Sequence, residues 1–459
     1  MITIFAWAMI IVFLALVMMK KMQPFTALVI VPIAFGLIGA FMGIFSEATI
    51  ELLSVDSVGV MDQVQAIGTW TVMGLRQTAT TAFMLLFAIL FFAVLLNAGL
   101  FDPITKAMVK FSGGDPVKVL LATAVVSAAV SLNGDGTTTT LICCTAFVPL
   151  YKKLDMKLLY LATVVVLMNT IMNLLPWGGP TARVLSVLDG LTAQDMMNAL
   201  IPGMIVSTIY MLGVSYYLGI KERKRVGVKK LSDAELSELF ASVDPEVEAL
   251  KRPKLIWFNA ILMIGTIGCL IFASDFFPAA YLFMLATCIA LLINYPNLKE
   301  QKARIEDNAA DALSVVILVI GAGVFMGIFT NSGMSTALAN SMLNVVPESL
   351  GRYWGLITAI VSAPGTYFLS NDAFYYGVLP VFAEAGAKYG FTALELGTAS
   401  LLGQAYHLLS PLVAFIYLLL KLTEQDMGEW QKESGKWATG IFIIFIVVSA
   451  ITGVVPLVK

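Results

Sequence analysis

Charged side chains are scarce in this 459-residue sequence, where aspartate, glutamate, lysine and arginine together make up 13%. Soluble proteins carry roughly 25% charged and about 45–50% apolar residues, whereas 59% of this chain is hydrophobic. So much apolar surface excludes a soluble enzyme. Histidine occurs only as His407, the net charge is −2, and no basic tract lies outside one loop, which excludes nucleic-acid binding. The composition indicates a polytopic membrane protein.

Cysteine is also rare, with four residues that all fall in apolar segments. Neither a Cys-x-x-Cys string nor a cysteine/histidine spacing typical of zinc is present. We interpret the cysteines as small residues that pack between helices. No permanently bound cofactor is expected.

Ten apolar segments are long enough to cross a bilayer, which requires about 20 apolar residues in a helix. Together they predict an all-α polytopic membrane protein. The predicted spans cover residues 2–19, 24–45, 78–97, 158–188, 198–219, 255–273, 278–294, 312–330, 392–420 and 437–457.

Two further apolar regions, 119–150 and 356–386, do not fit this template. Each is divided by a polar centre, at Asn133-Gly-Asp-Gly-Thr137 in the first and Ser370-Asn-Asp372 in the second. The arms on either side are about 14 residues, or about 21 Å of helix, which is shorter than a hydrocarbon core of about 30 Å. We therefore predict two re-entrant helical hairpins. Non-helical backbone at that depth requires protein or a water-filled cavity around it.

The distribution of basic residues orients the predicted spans. If the N-terminus lies outside and both hairpins re-enter, the cytoplasmic segments contain 23 of the 28 lysines and arginines. This asymmetry obeys the positive-inside rule. It predicts a multi-pass protein of the cell (inner) membrane with both termini outside and a cytoplasmic loop at 221–254. Arg76, Arg352 and Lys388 are then expected in outer loops.

The two halves of the chain resemble each other, because each hairpin is followed by an interrupted span. We predict two inverted-topology repeats of about five transmembrane helices plus one hairpin, with a binding site at the midplane where the broken elements meet. The first repeat is residues 1–220 (hairpin about 119–150, broken helix about 158–188) and the second is 255–459 (hairpin about 356–386, broken helix about 392–420). Residues 221–254 link them, with a short amphipathic helix expected around 232–242.

Prolines in the broken helices free backbone carbonyls. Pro411 removes the helical partner of the His407 carbonyl, and Pro176 and Pro180 act likewise in the first repeat. Freed carbonyls bind cations, while half-helix N-termini favour anions. Glycine and proline can also simply break and pack helices, but two breaks in matching places favour a site.

Two aspartates lie at membrane depth, at the predicted hairpin tips. An ionised aspartate there costs at least about 2.5–3.5 kcal/mol, so it usually marks an ion or proton pathway. The alternative is that Asp372 caps the second arm and Asp135 satisfies local amides; we favour a functional role for both. Asp, Asn, Thr and Ser oxygens suit Mg²⁺, Ca²⁺ or a transferred proton. The candidate metal ligands are Asp135, Asp372, Asn133 and Asn371, and the proton-coupling candidates are His407, Asp135 and Asp372.

Three further side chains in the broken spans have open interpretations. His407 could carry a proton or bind a carboxylate, or only hydrogen-bond across helices. Arg183 could hold a substrate carboxylate through two hydrogen bonds or extend toward the membrane surface. Trp177 either forms part of the wall of the binding cavity or only packs between helices. The predicted substrate-binding residues are Asn133, Gly134, Asp135, Gly136, Thr137, Thr138, Asn173, Trp177, Gly178, Gly179, Thr181, Arg183, Ser370, Asn371, Asp372, Gln404, His407 and Ser410.

Four strings resemble those of the citrate–divalent metal:proton symporter (CitMHS) family, which is part of the ion-transporter superfamily. They are Asn133-Gly-Asp-Gly-Thr-Thr, Asn173-Leu-Leu-Pro-Trp-Gly-Gly-Pro-Thr-Ala-Arg183, Leu369-Ser-Asn-Asp-Ala-Phe-Tyr-Tyr-Gly-Val-Leu-Pro380 and Gly403-Gln-Ala-Tyr-His-Leu-Leu-Ser-Pro-Leu412. The resemblance covers essentially the whole chain. It implies a secondary transporter that imports citrate complexed with a divalent metal of the Mg²⁺ or Ca²⁺ type, driven by protons. It also implies scaffold and transport domains and a homodimer.

Two departures bear on that expectation. The family's sodium-coupled relatives carry Ser-Asn-Thr at both hairpin tips, whereas this chain has Asn-Gly-Asp and Ser-Asn-Asp, which favours metal or proton handling. Asn133 stands where the metal–citrate family often has an acid, and one fewer charge there could alter metal preference or substrate. The runner-up function is a proton symporter for another carboxylate. A rival of another class is an intramembrane aspartyl protease, whose two aspartates share a proton, but the required Gly-x-Gly-Asp string is absent.

Overall fold

The structure is a computed structural model, and it describes residues 1–229, 231, 245–273, 276–343 and 346–459. These residues form helices joined by short loops, without a strand among them. The helices of the first half are α1 (Ile2–Met18), α2 (Pro24–Phe41), α3 (Ser46–Leu53), α4 (Val60–Asn97), α5 (Asp102–Ser112), α6 (Pro116–Ser131), α7 (Gly136–Lys153), α8 (Leu158–Met172), α9 (Gly179–Val187) and α10 (Ala193–Val226).

A short helix, α11 (Pro245–Leu250), and a 3₁₀ turn (Pro253–Leu255) precede the second half. There, a π-helical turn (Phe374–Val378) joins two of the helices. The helices are α12 (Ile256–Phe272), α13 (Ala279–Asn294), α14 (Leu298–Asn331), α15 (Met334–Leu343), α16 (Glu348–Gly351), α17 (Trp354–Phe368), α18 (Asn371–Ala373), α19 (Leu379–Lys388), α20 (Ala393–Leu402), α21 (Gln404–His407), α22 (Ala414–Leu422) and α23 (Met427–Ile451).

The prediction of an all-α polytopic membrane protein is confirmed. Six helices of the described residues are long and apolar enough to cross a bilayer: α2, α4, α10, the segment Pro253–Phe272, α14 and α23. The other predicted spans are shorter apolar helices or the two interrupted ones. Both breaks fall inside predicted spans, between α8 and α9 and between α20 and α22.

Ion pairs show that the first hairpin, α6 and α7, returns to the side from which it enters. Asp115, just before α6, pairs with Arg223 near the end of α10, with an Nη2–Oδ2 distance of 2.5 Å. Asp155, just after α7, accepts a hydrogen bond on its carbonyl oxygen from Arg225, two residues further along α10 than Arg223. Both ends of the hairpin therefore lie beside the same end of α10, as the re-entrant interpretation requires.

The second hairpin, α17 to α19, closes in the same way. Trp354, the first residue of α17, donates its indole N–H to the carbonyl oxygen of Phe382 in α19 at 2.8 Å. The Tyr389 hydroxyl after α19 donates to the Val346 carbonyl oxygen before α17 at 3.2 Å. The start of its first arm therefore lies beside the end of its second arm.

Both halves follow one order of elements. A long helix (α4 or α14) leads to a shorter one (α5 or α15), then to a hairpin, a broken helix and a final long helix (α10 or α23). The assignment to two inverted repeats with the predicted boundaries stays a prediction.

Glycines bring the two equivalent long helices, α4 and α14, into backbone contact. A Cβ added to Gly74 would lie 1.9 Å from the Gly323 carbonyl oxygen, and one added to Gly327 would lie 2.3 Å from the Trp70 carbonyl oxygen. A Cβ on Gly323 would lie 2.4 Å from the Thr78 hydroxyl. Position 70 is thus beside 327 and position 78 beside 323, so the helices run antiparallel. Small residues permit such close approach in membrane proteins.

Several predicted boundaries are wrong. The span expected at 78–97 is a single helix from residue 60, so Arg76 lies within α4 rather than in an outer loop. Helix α14 likewise begins at 298 rather than 312, and α10 covers Ala193–Val226 rather than the span predicted at 198–219. Polar ends hide these extensions because hydropathy detects only the apolar part of a helix. The helix expected around 232–242 lies outside the described residues.

We predict that Gly74→Ala lowers stability because the methyl group would overlap the α14 backbone. Overpacking of this kind costs typically about 1–3 kcal/mol. The control is Gly68→Ala on the same helix, where a Cβ meets nothing within 4 Å and the change favours helix by about 1 kcal/mol. Thermal melts of the purified variants in detergent measure both. Equal melting temperatures for Gly74→Ala and the unchanged protein would contradict the prediction.

Candidate functional site

The tip of the first hairpin is a tight turn that caps α7. Asp135 Oδ1 accepts a hydrogen bond from the Thr137 N–H at 3.2 Å, and Oδ2 accepts from the Thr138 N–H at 2.7 Å. Asn133 Oδ1 accepts from the Asp135 N–H at 2.6 Å, and Gly134 between them has φ +78°, which favours glycine. Asp135 therefore satisfies local backbone amides, as the capping alternative predicts. Its carboxylate is still exposed, and each oxygen retains a lone pair for a ligand.

The break between α8 and α9 is stabilised by side chains that replace helical hydrogen bonds. Asn173 Oδ1 accepts from the Gly179 N–H at 3.3 Å, and the Thr181 hydroxyl donates to the Leu174 carbonyl oxygen at 2.7 Å. A Cβ on Gly178 would lie 2.0 Å from the Asn173 carbonyl oxygen. Asn173, Gly178 and Thr181 thus shape the break, while Gly179 begins α9.

Ser370 caps the second hairpin tip: its hydroxyl oxygen accepts from the Ala373 N–H at 3.1 Å. The neighbouring Asn371 faces the second broken helix, where Gln404 Nε2 donates to Asn371 Oδ1 at 2.9 Å. The same Nε2 donates to the Tyr375 hydroxyl at 2.9 Å. The tip and the break in the second half are therefore joined by side chains.

The break after α20 is held against the first arm of that hairpin. His407 Nδ1 donates to the Thr366 carbonyl oxygen at 2.7 Å, so Nε2 is the nitrogen without hydrogen in the neutral ring. The Thr366 hydroxyl lies 3.2 Å from the Gly403 carbonyl oxygen, and the Ser410 hydroxyl donates to the Tyr367 carbonyl oxygen at 2.6 Å. His407 is buried. It makes a hydrogen bond between helices, one of the two interpretations left open for it.

An ion pair connects the two halves. Arg183 on α9 donates to Asp372 Oδ1 from Nε at 2.8 Å and from Nη2 at 2.7 Å, and its Nη1 donates to the Gly179 carbonyl oxygen at 2.8 Å. The two side chains are only 17% and 16% exposed. Asp372 is therefore the partner of Arg183, not the cap of the second arm. Arg183 does not extend toward the membrane surface.

Each broken helix contacts both hairpins. Trp177, in the first break, donates its indole N–H to the Leu132 carbonyl oxygen at the first tip at 2.8 Å, while Arg183 reaches the second tip. The second broken helix approaches the first tip as well, because a Cβ on Gly136 would lie 2.4 Å from the ring of Phe415. The four interrupted elements thus meet, as the sequence predicts for a transporter site.

A cavity of about 220 Å³, here called the tip cavity, lies beside the first hairpin tip. It contains six of the predicted site residues together with parts of α4 and α14. Its lining residues are Ile89, Phe92, Ala93, Leu96, Asn97, Asn133, Gly134, Asp135, Thr138, Trp177, Gly179, Asn308, Asp311, Ser314 and Val315.

A larger cavity of about 610 Å³, here called the loop cavity, shares Trp177 with the tip cavity in its lining. The α9–α10 loop and the start of α13 form much of its wall. Its polar lining residues include Gln77, Thr80, Thr81, Asp189, Thr192, Gln194 and Asp195.

An aromatic cluster lies where the linings of the two cavities meet. Trp177 lines both, and its ring stacks on Phe92 at 5.7 Å and meets Phe283 edge-on at 5.2 Å, between ring centroids. Phe92 lines the tip cavity and Phe283 the loop cavity. Trp177 therefore both packs and forms a cavity wall.

The structure divides the four candidate metal ligands into two groups. Asp135 and Asn133 line the tip cavity, whereas Asp372 pairs with Arg183 and Asn371 accepts from Gln404. Gly179 and Arg183 connect the groups. Thr137 is exposed at the tip, but it is not among the described lining residues of the tip cavity.

Sequence reasoning missed Asn97, Asn308, Asp311 and Ser314. The last three occur at every third position near the start of α14: Asn308 and Asp311 precede the span predicted at 312–330, whereas Ser314 lies within it. The spacing places them on one helix face, and this pattern was the available signal.

Comparison with known proteins agrees with these features. The CitMHS model, described as a citrate transporter family, matches residues 4–403. A Bacillus subtilis citrate transporter is 43% identical over 455 residues, covering 99% of this chain and 100% of that protein. The Mg(2+)/citrate complex secondary transporter of the same organism is 37% identical, covering 100% of both chains. These relatives are transporters, which confirms the transporter interpretation over a protease.

One solved structure shares the fold. The crystal structure of the YdaH transporter of Alcanivorax borkumensis superimposes with a TM-score of 0.54 at 15% identity. The match covers 87% of this chain and 90% of that one.

We predict that Asp372→Asn and Arg183→Gln each destabilise the protein more than the double variant does. Removing one partner strands the other charge, which costs on the order of 3–5 kcal/mol in a buried pair, with partial exposure favouring the lower end. The control is Glu424→Gln, since the Lys152–Glu424 pair is 51% and 63% exposed and is worth about 1 kcal/mol or less. Thermal melts in detergent test this. Additive losses in the double variant would show that the pair is not coupled.

Proposed function

Because this chain belongs to the CitMHS citrate transporter family, we propose that it imports citrate as a complex with a divalent metal, coupled to protons. The complex is the transported substrate, and Mg²⁺ or Ca²⁺ is its metal. The observation that carries this proposal is the charge of the tip cavity.

The tip cavity disfavours a bare anion. Asp135 and Asp311 are acidic, and neither lysine nor arginine is among its described lining residues. Citrate at neutral pH carries about three negative charges, and moving it into a low-dielectric site without cations is costly. A divalent metal reduces the charge of the complex to about −1 and offers open positions to protein oxygens.

The protein supplies only part of the metal's coordination in this proposal. The described residues contain no group of three or more His, Cys, Asp or Glu side chains arranged to bind a metal. Citrate therefore provides most of the ligands, and side-chain oxygens complete the shell. Mg²⁺ requires a strict octahedron of short bonds, whereas Ca²⁺ accepts more ligands at longer distances.

Proton coupling is proposed to act through Asp372, Asp135 or His407. Protonation of Asp372 would remove the charge that holds Arg183, at the contact between the two halves of the site. The guanidinium would then be free to bind a citrate carboxylate through two hydrogen bonds. Asp135 and the unprotonated nitrogen of His407 are the other groups that can accept a proton there.

The proposed topology places the tip cavity toward the cytoplasm. Asn97, at the end of α4 in the tip cavity, belongs to the side where the basic loops are predicted. The loop cavity then faces outward, with the aromatic cluster between the two. Two ion pairs between distant segments support this arrangement: Lys152 pairs with Glu424 at 2.5 Å and Lys459 with Glu395 at 2.7 Å, and each pair joins segments predicted on one side. A homodimer remains part of the proposal.

We predict that citrate uptake requires a divalent cation and that both enter at a fixed ratio. The measurement is dual-label uptake of citrate and metal into proteoliposomes after a chelator has removed bound metal. Full citrate transport in metal-free buffer, or citrate entry without metal, would show that the protein carries the free anion or another carboxylate.

We also predict that an acidic exterior stimulates uptake in the absence of sodium, because both hairpin tips carry aspartate. Proteoliposomes with imposed proton or sodium gradients, each applied alone, separate the two couplings. The control applies the same gradients in the presence of a protonophore, which should abolish the stimulation. Uptake that follows sodium and ignores pH would refute the assignment.

A further inference from the structure

Helix α14 contributes a polar stripe to the wall of the tip cavity. Asn308, Asp311 and Ser314 all line the cavity, together with the hairpin-tip residues. Spacing of three residues puts them on one face of the helix. Upstream, other acids of the same helix have charged partners: Glu306 pairs with Lys302 at 3.5 Å and Asp307 with Arg304 at 2.8 Å.

The Asp311 carboxylate differs from these acids. It is exposed, and among the described residues it forms no ion pair and accepts no hydrogen bond on its side-chain oxygens. The nearby Asn308 donates its amide nitrogen to the Arg304 carbonyl oxygen at 2.6 Å, which leaves its side-chain oxygen as an acceptor. This wall therefore presents oxygens.

The hairpin wall presents mixed chemistry. Asn133 uses its side-chain oxygen to accept from the Asp135 N–H, which leaves its NH₂ group as a donor. The Thr138 hydroxyl can also donate. A carboxylate of the ligand is best placed against these donors, and a cation is best placed against the oxygens of α14.

Resting on the function proposed above, we propose that Asp311, assisted by Asn308, contacts the metal side of the transported complex and determines which divalent ion is accepted. A metal–citrate complex has a cationic face and an anionic face, and the cavity walls match that polarity. Asp135 already accepts two backbone N–H groups, whereas the Asp311 oxygens are free to bind the metal or a water on it. Because Mg²⁺ retains waters more strongly than Ca²⁺, the reach of this carboxylate selects between them.

The experiment measures KM for the Mg²⁺–citrate and Ca²⁺–citrate complexes in proteoliposomes containing the full chain. For Asp311→Asn we expect KM for the preferred complex to rise about tenfold or more, in keeping with the 10–100-fold loss of metal affinity typical of altered metal partners. We expect the ratio between the two metals to change as well. Asp311→Glu keeps the charge but extends the side chain, so it should retain uptake and shift the metal ratio.

The matched control is Asp307→Asn, four residues earlier on α14, whose carboxylate pairs with Arg304 instead of lining the cavity. It should leave KM and the metal ratio unchanged. Melting temperatures identify variants that lose activity by unfolding, and Asp311→Glu provides a second reading in that case. If the unchanged protein requires a metal but both Asp311 variants keep its KM and metal ratio, this inference is wrong while the proposed function stands. Metal-independent uptake by the unchanged protein refutes the proposed function itself.

Discussion

The backbone polar groups that the described interrupted helices leave without helical partners must be satisfied by other groups, and the architecture of the site follows from that constraint. An unsatisfied group at membrane depth costs several kcal/mol. Asp135 accepts the first N–H groups of α7, Ser370 accepts one at the second tip, and Asn173 accepts the first N–H of α9. Because these side chains accept backbone N–H groups that lack a helical partner, the helices can stay interrupted beside a cavity. The residues that stabilise the fold here are therefore also residues of the proposed substrate site.

The charges inside the protein are arranged in two ways. Arg183 and Asp372 neutralise each other between the two halves, while Asp135 and Asp311 face a shared cavity without a described cation among its lining residues. A neutral pair can be disrupted by a proton, and an acidic cavity favours a ligand that presents a cation to it over a bare anion. Gly179 connects the two arrangements, because it lines the tip cavity and its carbonyl oxygen accepts a hydrogen bond from Arg183. The groups proposed for proton coupling and for metal binding are therefore neighbours.

Packing between the halves sets the geometry in which the site forms. Glycines bring α4 and α14 into contact, and the same two helices supply Asn97 and Asp311 to the tip cavity. The aromatic cluster of Phe92, Trp177 and Phe283 lies where the linings of the tip cavity and the loop cavity meet.

Composition and pattern alone indicate the class of this protein, its interrupted segments and many of the residues that meet at the candidate site. Low charge and long apolar runs leave few alternatives to a helical membrane protein, and polar strings inside two short apolar regions disclosed the hairpins. The same reasoning placed the start of α14 too late, because a helix that extends beyond the apolar region does not register in hydropathy. Only the tertiary structure decided that Asp372 pairs with Arg183, 189 positions away, and that Asp311 shares a cavity with Asp135. Such contacts depend on how distant helices pack, and local periodicity carries no information about which faces meet.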